Sequence, residues 1–181
     1  MREEILMSGF GGQGIMLMGR LLAYAAAEED KFVTWIPAYG AEVRGGTAFC
    51  TVVISEEEIA SPFANNPTVV IVMNEPSLKK YEAKVKKDGL LVINSSLAKI
   101  KTSRKDIEVL YVPATDIAQK LGNVRVANMA ALAAYLTRKP VVKLATLKKV
   151  LKKEGIANKK EALLAINEQA IEEGSKYGAK K

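Results

Sequence analysis

Short apolar blocks alternate with longer helical stretches along this chain. Ile5–Met7 is apolar and stops at Ser8-Gly9, the pattern of a buried strand. Gly9 to Gly14 is a glycine-rich loop, and Ile15 to Glu29, rich in Leu, Met and Ala, reads as a helix. Lys31–Ile36 is β-branched and aromatic, and Pro37 is expected to stop it as a strand. Ala38 to Gly46 reads as a loop and Thr47–Ile54 as a third strand. Thr68–Met73 is apolar after its first residue, the mark of a strand covered on both faces. Asn74-Glu75-Pro76-Ser77 opens a helix with proline in its first turn. Leu90–Ile93 and Ile107–Val112 read as further strands. Pro113 to Lys120 is a short helix ended near Gly122, and Arg125–Thr137 an Ala-rich one ended by Pro140. Val142–Lys153 and Lys160–Glu173 repeat apolar residues at helical spacing, with Leu144, Leu147 and Leu151 on one face and Leu163, Ile166 and Ala170 on the other helix's face.

Strands alternating with helices predict an α/β fold: a three-layer, Rossmann-like domain with a mostly parallel sheet. Residues 1–181 read as one domain, with extra C-terminal helices over about 141–181 that would pack on the sheet or form a lid.

Composition narrows the chemistry. Hydrophobic residues make up 49% and aromatics only 6%, so the core is expected to be aliphatic. Histidine is absent, which excludes a Ser-His-Asp triad and histidine metal ligands. The single cysteine, Cys50, cannot hold an iron–sulfur cluster or a structural zinc and cannot form an internal disulfide. It lies in an apolar strand and reads as a buried structural thiol. One free thiol, no signal-peptide pattern and no apolar run of about 20 residues lead to the expectation of a cytoplasmic protein that does not enter a membrane. The net charge is +7, and residues 141–181 hold 10 lysines against 5 glutamates. Those lysines alternate with apolar residues, as on a solvated helix face, and no nucleic-acid partner is expected.

Gly9, Gly11 and Gly14 have GxGxxG spacing directly after a strand and before a helix, the context in which backbone N–H groups and the helix dipole favour an anion. The same glycines would equally serve only to let the helix pack against the sheet. The expected binding set is Gly9, Phe10, Gly11, Gly12, Gln13 and Gly14, with Gln13 as a further donor. No carboxylate stands at the end of the second strand, where a dinucleotide ribose would need one, so NAD is disfavoured. The GxxxxGK[ST] pattern of a P-loop is missing too. A second loop contains Tyr39, Gly40, Glu42, Arg44, Gly45 and Gly46. It follows a strand's C-terminal end and is expected beside the first loop, facing a partner or ligand, with Asn74 and Asn94-Ser95-Ser96 on the same edge. As an alternative, Glu42 and Arg44 only satisfy loop backbone.

Together, Ser8-Gly9-Phe10-Gly11-Gly12-Gln13-Gly14 and Tyr39-Gly40-Ala41-Glu42-Val43-Arg44-Gly45-Gly46 resemble the gamma subunit of 2-oxoacid:ferredoxin oxidoreductases. The resemblance covers roughly residues 3–140, including Asn128-Met129. It implies membership of a complex that oxidatively decarboxylates pyruvate, 2-oxoglutarate or branched-chain 2-oxoacids to acyl-CoA, with ferredoxin as acceptor. It implies alpha, beta and delta subunits as partners, thiamine diphosphate between alpha and beta, and iron–sulfur clusters in beta and delta. The gamma subunit would join the assembly and help hold coenzyme A, with no catalytic residue, no metal and no tightly bound cofactor of its own. An indolepyruvate oxidoreductase-type subunit is a related possibility. A stand-alone nucleotide-binding or regulatory α/β domain is the alternative outside the family.

Overall fold

The computed structural model describes residues 1–38, 47–153 and 161–179. Its strands are β1 (Arg2–Gly9), β2 (Phe32–Ala38), β3 (Ala48–Ser55), β4 (Val69–Val72), β5 (Leu90–Asn94) and β6 (Glu108–Val112). They form one sheet in the order β2-β3-β1-β4-β5-β6. β1, β4, β5 and β6 are mutually parallel neighbours. β3 is antiparallel to both β1 and β2, so β2 points the same way as β1. The C-terminal ends of β1, β2, β4, β5 and β6 therefore share one edge.

The central strands are buried on both faces. In β1, β4 and β5, Ile5, Met7, Val69, Ile71, Leu90 and Val92 face one core. Leu6, Val70, Val72, Leu91 and Ile93 face the other. Burying each such side chain stabilises the fold by roughly 1.5–3 kcal/mol.

The helices are α1 (Ile15–Ala27), α2 (Glu75–Tyr81), α3 (Ala114–Lys120), α4 (Ala127–Arg138), α5 (Leu144–Lys153) and α6 (Glu161–Gly178). The layers are unequal. Residues of α1, α3, α4, α5 and α6 all join the first core. On the second face α2 supplies Leu78 and Tyr81, helped by Val85 and Ala98 from the loops.

The elements differ from the sequence reading where packing overrides local preference. β2 runs through Pro37 to Ala38 rather than stopping before it. It is the edge strand, so the missing N–H of proline need not break a ladder. α6 continues past Glu173 to Gly178. A Cβ at Gly174 would collide with the Ala130 carbonyl, and one at Gly178 with the Ala134 carbonyl. Those glycines thus let α6 lie backbone-close on α4, which places the C-terminal helices on the α4 layer rather than over the sheet edge as a lid. α1 sits equally close to the sheet, since a Cβ at Gly19 would lie 2.5 Å from Cys50 Sγ. Cys50 is fully buried, and burial pushes its thiol up to about 12 despite the nearby Trp35 indole.

Ion pairs then tie α5 to its neighbours. Glu28, just past α1, accepts from Lys149 at 2.7 Å and Lys153 at 2.5 Å. Lys148 and Lys152 of α5 reach Glu172 and Glu168 of α6.

Two outcomes are expected. Gly174→Ala would raise helix propensity by about 1 kcal/mol on an exposed helix. Here it should destabilise the protein by about 1–3 kcal/mol through overpacking, read by chemical unfolding. The Lys149 and Lys153 hydrogen bonds hold the Glu28 carboxyl at about 2, below its ordinary 4.5. A depressed folded value means this stabilisation is complete above about 4.5 and is lost as pH falls through about 2. Glu28→Gln should therefore lower the melting temperature at pH 7 and leave it nearly unchanged at pH 2.

Candidate functional site

The glycine loop leaves β1 at Gly9 and enters α1 at Ile15. Its turn is closed by the Gln13 N–H donating to the Phe10 carbonyl at 3.2 Å. The Gln13 side-chain oxygen accepts from the Phe10 N–H at 2.7 Å and from Asn74 Nδ2 at 3.0 Å. Its Nε2 donates to the Met73 carbonyl at 3.3 Å. The side chain read from sequence as a ligand donor is thus engaged in shaping its own loop.

Buried amides extend this framework across the edge. Asn74 caps α2 by accepting from the Ser77 N–H at 2.9 Å. Asn94, at the end of β5, donates to the Met73 carbonyl at 3.1 Å and to Thr115 Oγ1 at 2.9 Å. Asn128 of α4 donates to the Gly14 carbonyl at 3.1 Å. All three asparagines are almost fully buried. Each burial is offset by these bonds; an unpaired buried amide would cost on the order of 1–3 kcal/mol.

The glycines divide into two kinds. A Cβ at Gly9 would lie 2.6 Å from Gln13 Oε1 and 2.7 Å from Ile15 Cδ1. Gly14 has φ 73° and sits against the Asn128 amide. Those two are needed by the fold. Gly11 and Gly12 would meet nothing within 4 Å. Gly12 has φ 89°, which disfavours a side chain there, whereas Gly11 has neither a contact nor a positive φ. Phe10 beside them is 42% exposed.

Two cavities flank the loop. One, of about 370 Å³ and mostly apolar, is bounded by Phe10, Gly11, Gly12, Ile15, Ala38 and Ala48. The other, of about 210 Å³, is bounded by Gly12, Gln13, Leu97, Thr115, Val124 and Arg125. Arg125 is exposed and forms no ion pair among the described residues. It is the cation that the loop itself lacks. Sequence reading missed it, because the only local signal is a charge opening an Ala-rich helix. The start of α1 adds N–H groups that have no partner within the helix. The arrangement offers an anion backbone donors, a guanidinium and an adjoining apolar recess, with no nucleophile–base pair among the described residues.

Tyr39, Gly40, Glu42, Arg44, Gly45 and Gly46 lie outside the described residues. Their loop departs from Ala38 and returns to β3 at Ala48, which pairs with Gly9 in register. Its roots therefore stand beside the glycine loop. Among the described residues no group of His, Cys, Asp or Glu could hold a metal ion, and no helix is long and apolar enough to cross a membrane.

The chain is 40% identical over 129 residues to ketoisovalerate oxidoreductase subunit VorA of Methanothermobacter marburgensis, a match covering 71% of this chain and 27% of VorA. It thus spans about a quarter of that relative's length. The solved gamma subunit of the keto/oxoacid ferredoxin oxidoreductase of Geobacter sulfurreducens is 27% identical, with a TM-score of 0.83 over 97% of this chain and 98% of that one. The fold is also that of part of the 2-oxoglutarate:ferredoxin oxidoreductase of Magnetococcus marinus, solved with 2-oxoglutarate, coenzyme A and succinyl-CoA bound. That match has a TM-score of 0.88 and 24% identity, and covers 98% of this chain and 31% of that one. The glycine loop, its amide framework and the sheet edge that carries them fall within residues 4–177, which match the family described as pyruvate ferredoxin/flavodoxin oxidoreductase, and the chain belongs to that family.

Proposed function

We propose that this chain is the gamma subunit of a multisubunit 2-oxoacid:ferredoxin oxidoreductase that oxidatively decarboxylates a 2-oxoacid to its acyl-CoA. Its role there is to assemble the enzyme and to hold coenzyme A, not to carry out the chemistry. The observation that carries the reading is Gly11. No packing contact and no backbone strain explain a glycine there, whereas a ligand approaching the backbone does. Gly9 and Gly14 set the loop's path, Phe10, Gly11, Gly12 and Gln13 form its rim, and Arg125 supplies the charge a phosphate needs. The neighbouring apolar cavity suits the less polar part of the same molecule.

The donor chemistry supports the division of labour. Thiamine diphosphate and iron–sulfur clusters belong to the alpha, beta and delta partners in this reading. Here the single thiol is buried and held protonated by burial, so it is no cluster ligand. The loop of Tyr39, Gly40, Glu42, Arg44, Gly45 and Gly46 is the partner contact, ferredoxin is the acceptor of the whole complex, and the complex is cytoplasmic.

Gly11→Ala should keep the melting temperature and raise the KM for coenzyme A in the assembled enzyme. Arg125→Ala should raise the same KM about tenfold or more, the loss of a charge-assisted hydrogen bond of about 1.5–3 kcal/mol. An unchanged KM in both variants would overturn the coenzyme A site. Arg44→Ala should weaken assembly by about 2–5 kcal/mol, measured by sedimentation, with little loss of folding stability. Normal assembly with early melting would make that loop structural instead.

A further inference from the structure

Residues 79–105 contain nine lysines and arginines against only Glu82 and Asp88, a local net of +7, equal to that of the whole chain. The fold gathers this stretch on the thinly covered face of the sheet. Arg104 donates to the carbonyls of Glu82 at 3.0 Å and Val85 at 3.1 Å, and the Asp88 N–H donates to the Asp106 carbonyl at 2.9 Å. Residues 82–88 and 99–106 are thereby laid side by side next to α2.

The contrast with the C-terminal helices is informative. There, Lys148, Lys149, Lys152 and Lys153 each meet a carboxylate of the chain. On this second face Lys79 pairs with Glu75, and Arg104 with Asp106. Lys84, Lys86, Lys99, Lys101 and Lys105 are exposed and form no ion pair among the described residues. Unscreened like charges within a Debye length of about 8–10 Å repel one another and destabilise the compact state unless an opposite surface meets them. Among them stand two exposed apolar side chains, Leu97 at 43% and Ile100 at 37%.

We propose that the face formed by α2, residues 82–88 and residues 97–105 docks an acidic protein surface, with its lysines meeting carboxylates and Leu97 and Ile100 filling the contact centre. A protein fits better than a nucleic acid. The only arginine of the stretch is committed to Asp106 and to backbone carbonyls, so no free guanidinium fork is left for phosphates. Its only aromatic, Tyr81, is buried, so no base can stack there. Exposed aliphatic side chains ringed by charge are the anatomy of a protein interface. Leu97 also bounds the cavity beside Gln13, so the docked partner reaches the glycine-loop edge.

The inference rests on the chain working in an assembly, and the test separates the two. The chain is purified from its native host with whatever it binds, treated with nuclease, and acetylated at lysine in parallel with the isolated recombinant chain. Lys84, Lys99, Lys101 and Lys105 should be labelled severalfold less in the native assembly, while Lys176 on α6 is labelled equally. A zero-length carbodiimide should join the protected lysines to Asp or Glu of a companion polypeptide. Equal labelling within an intact assembly overturns the docking face and leaves the assembly reading standing. Protection abolished by nuclease overturns it in favour of a nucleic acid. A chain that purifies alone overturns both readings.

Discussion

Four side-chain amides at one edge of the sheet hold the site together. Gln13, Asn74 and Asn94 converge on the end of β4, where both Gln13 and Asn94 donate to the Met73 carbonyl, and Asn128 ties Gly14 to α4. In a low-dielectric interior such bonds are strong when complete and costly when broken. They join the ends of β1, β4 and β5 to the starts of α2, α3 and α4, so the glycine loop has little freedom to collapse. The framework fixes the path of the glycine backbone without any charged side chain in the loop. Arg125, the cation beside the loop among the described residues, stands in the turn just before α4, which Asn128 anchors to Gly14.

The two faces of the sheet are built for different ends. One carries five helices and the larger core, closed by the glycine-mediated approach of α6 to α4 and by lysine–glutamate pairs across α1, α5 and α6. Surface ion pairs are individually weak, about 0–1 kcal/mol, but these link three separate elements and leave the C-terminal helices little residual charge. The other face has one short helix, and its Lys84, Lys86, Lys99, Lys101 and Lys105 form no ion pair among the described residues. Stability is concentrated on the first, and the second is left with unsatisfied charge and exposed aliphatic side chains.

This division suits the proposed role of a subunit that contributes surfaces rather than reactive groups. Among the described residues the thiol is buried, which favours its neutral form, and the buried amides of the edge are hydrogen-bonded within the protein. What the described residues offer is shape: a loop braced by buried amides and an apolar recess beside it.

The spacing of Gly9, Gly11 and Gly14 between a strand and a helix, and the apolar blocks of the central strands, were legible without coordinates, because each depends on backbone conformation and side-chain period within a few residues. The α/β architecture and the position of Asn74 and Asn94 along the glycine-loop edge followed from the same local signals. Pro37 inside a strand was not legible, because its tolerance depends on β2 lying at the sheet's edge. Nor was the length of α6, because Gly174 and Gly178 weaken a helix alone but permit its closest contact with α4. The different tasks of the loop glycines, Gln13 turning inward, and Arg125 standing beside a loop far away in the chain were all decided by tertiary packing. So was the location of the free charge: the sequence counts every lysine alike, and only the fold determines which of them meets a carboxylate.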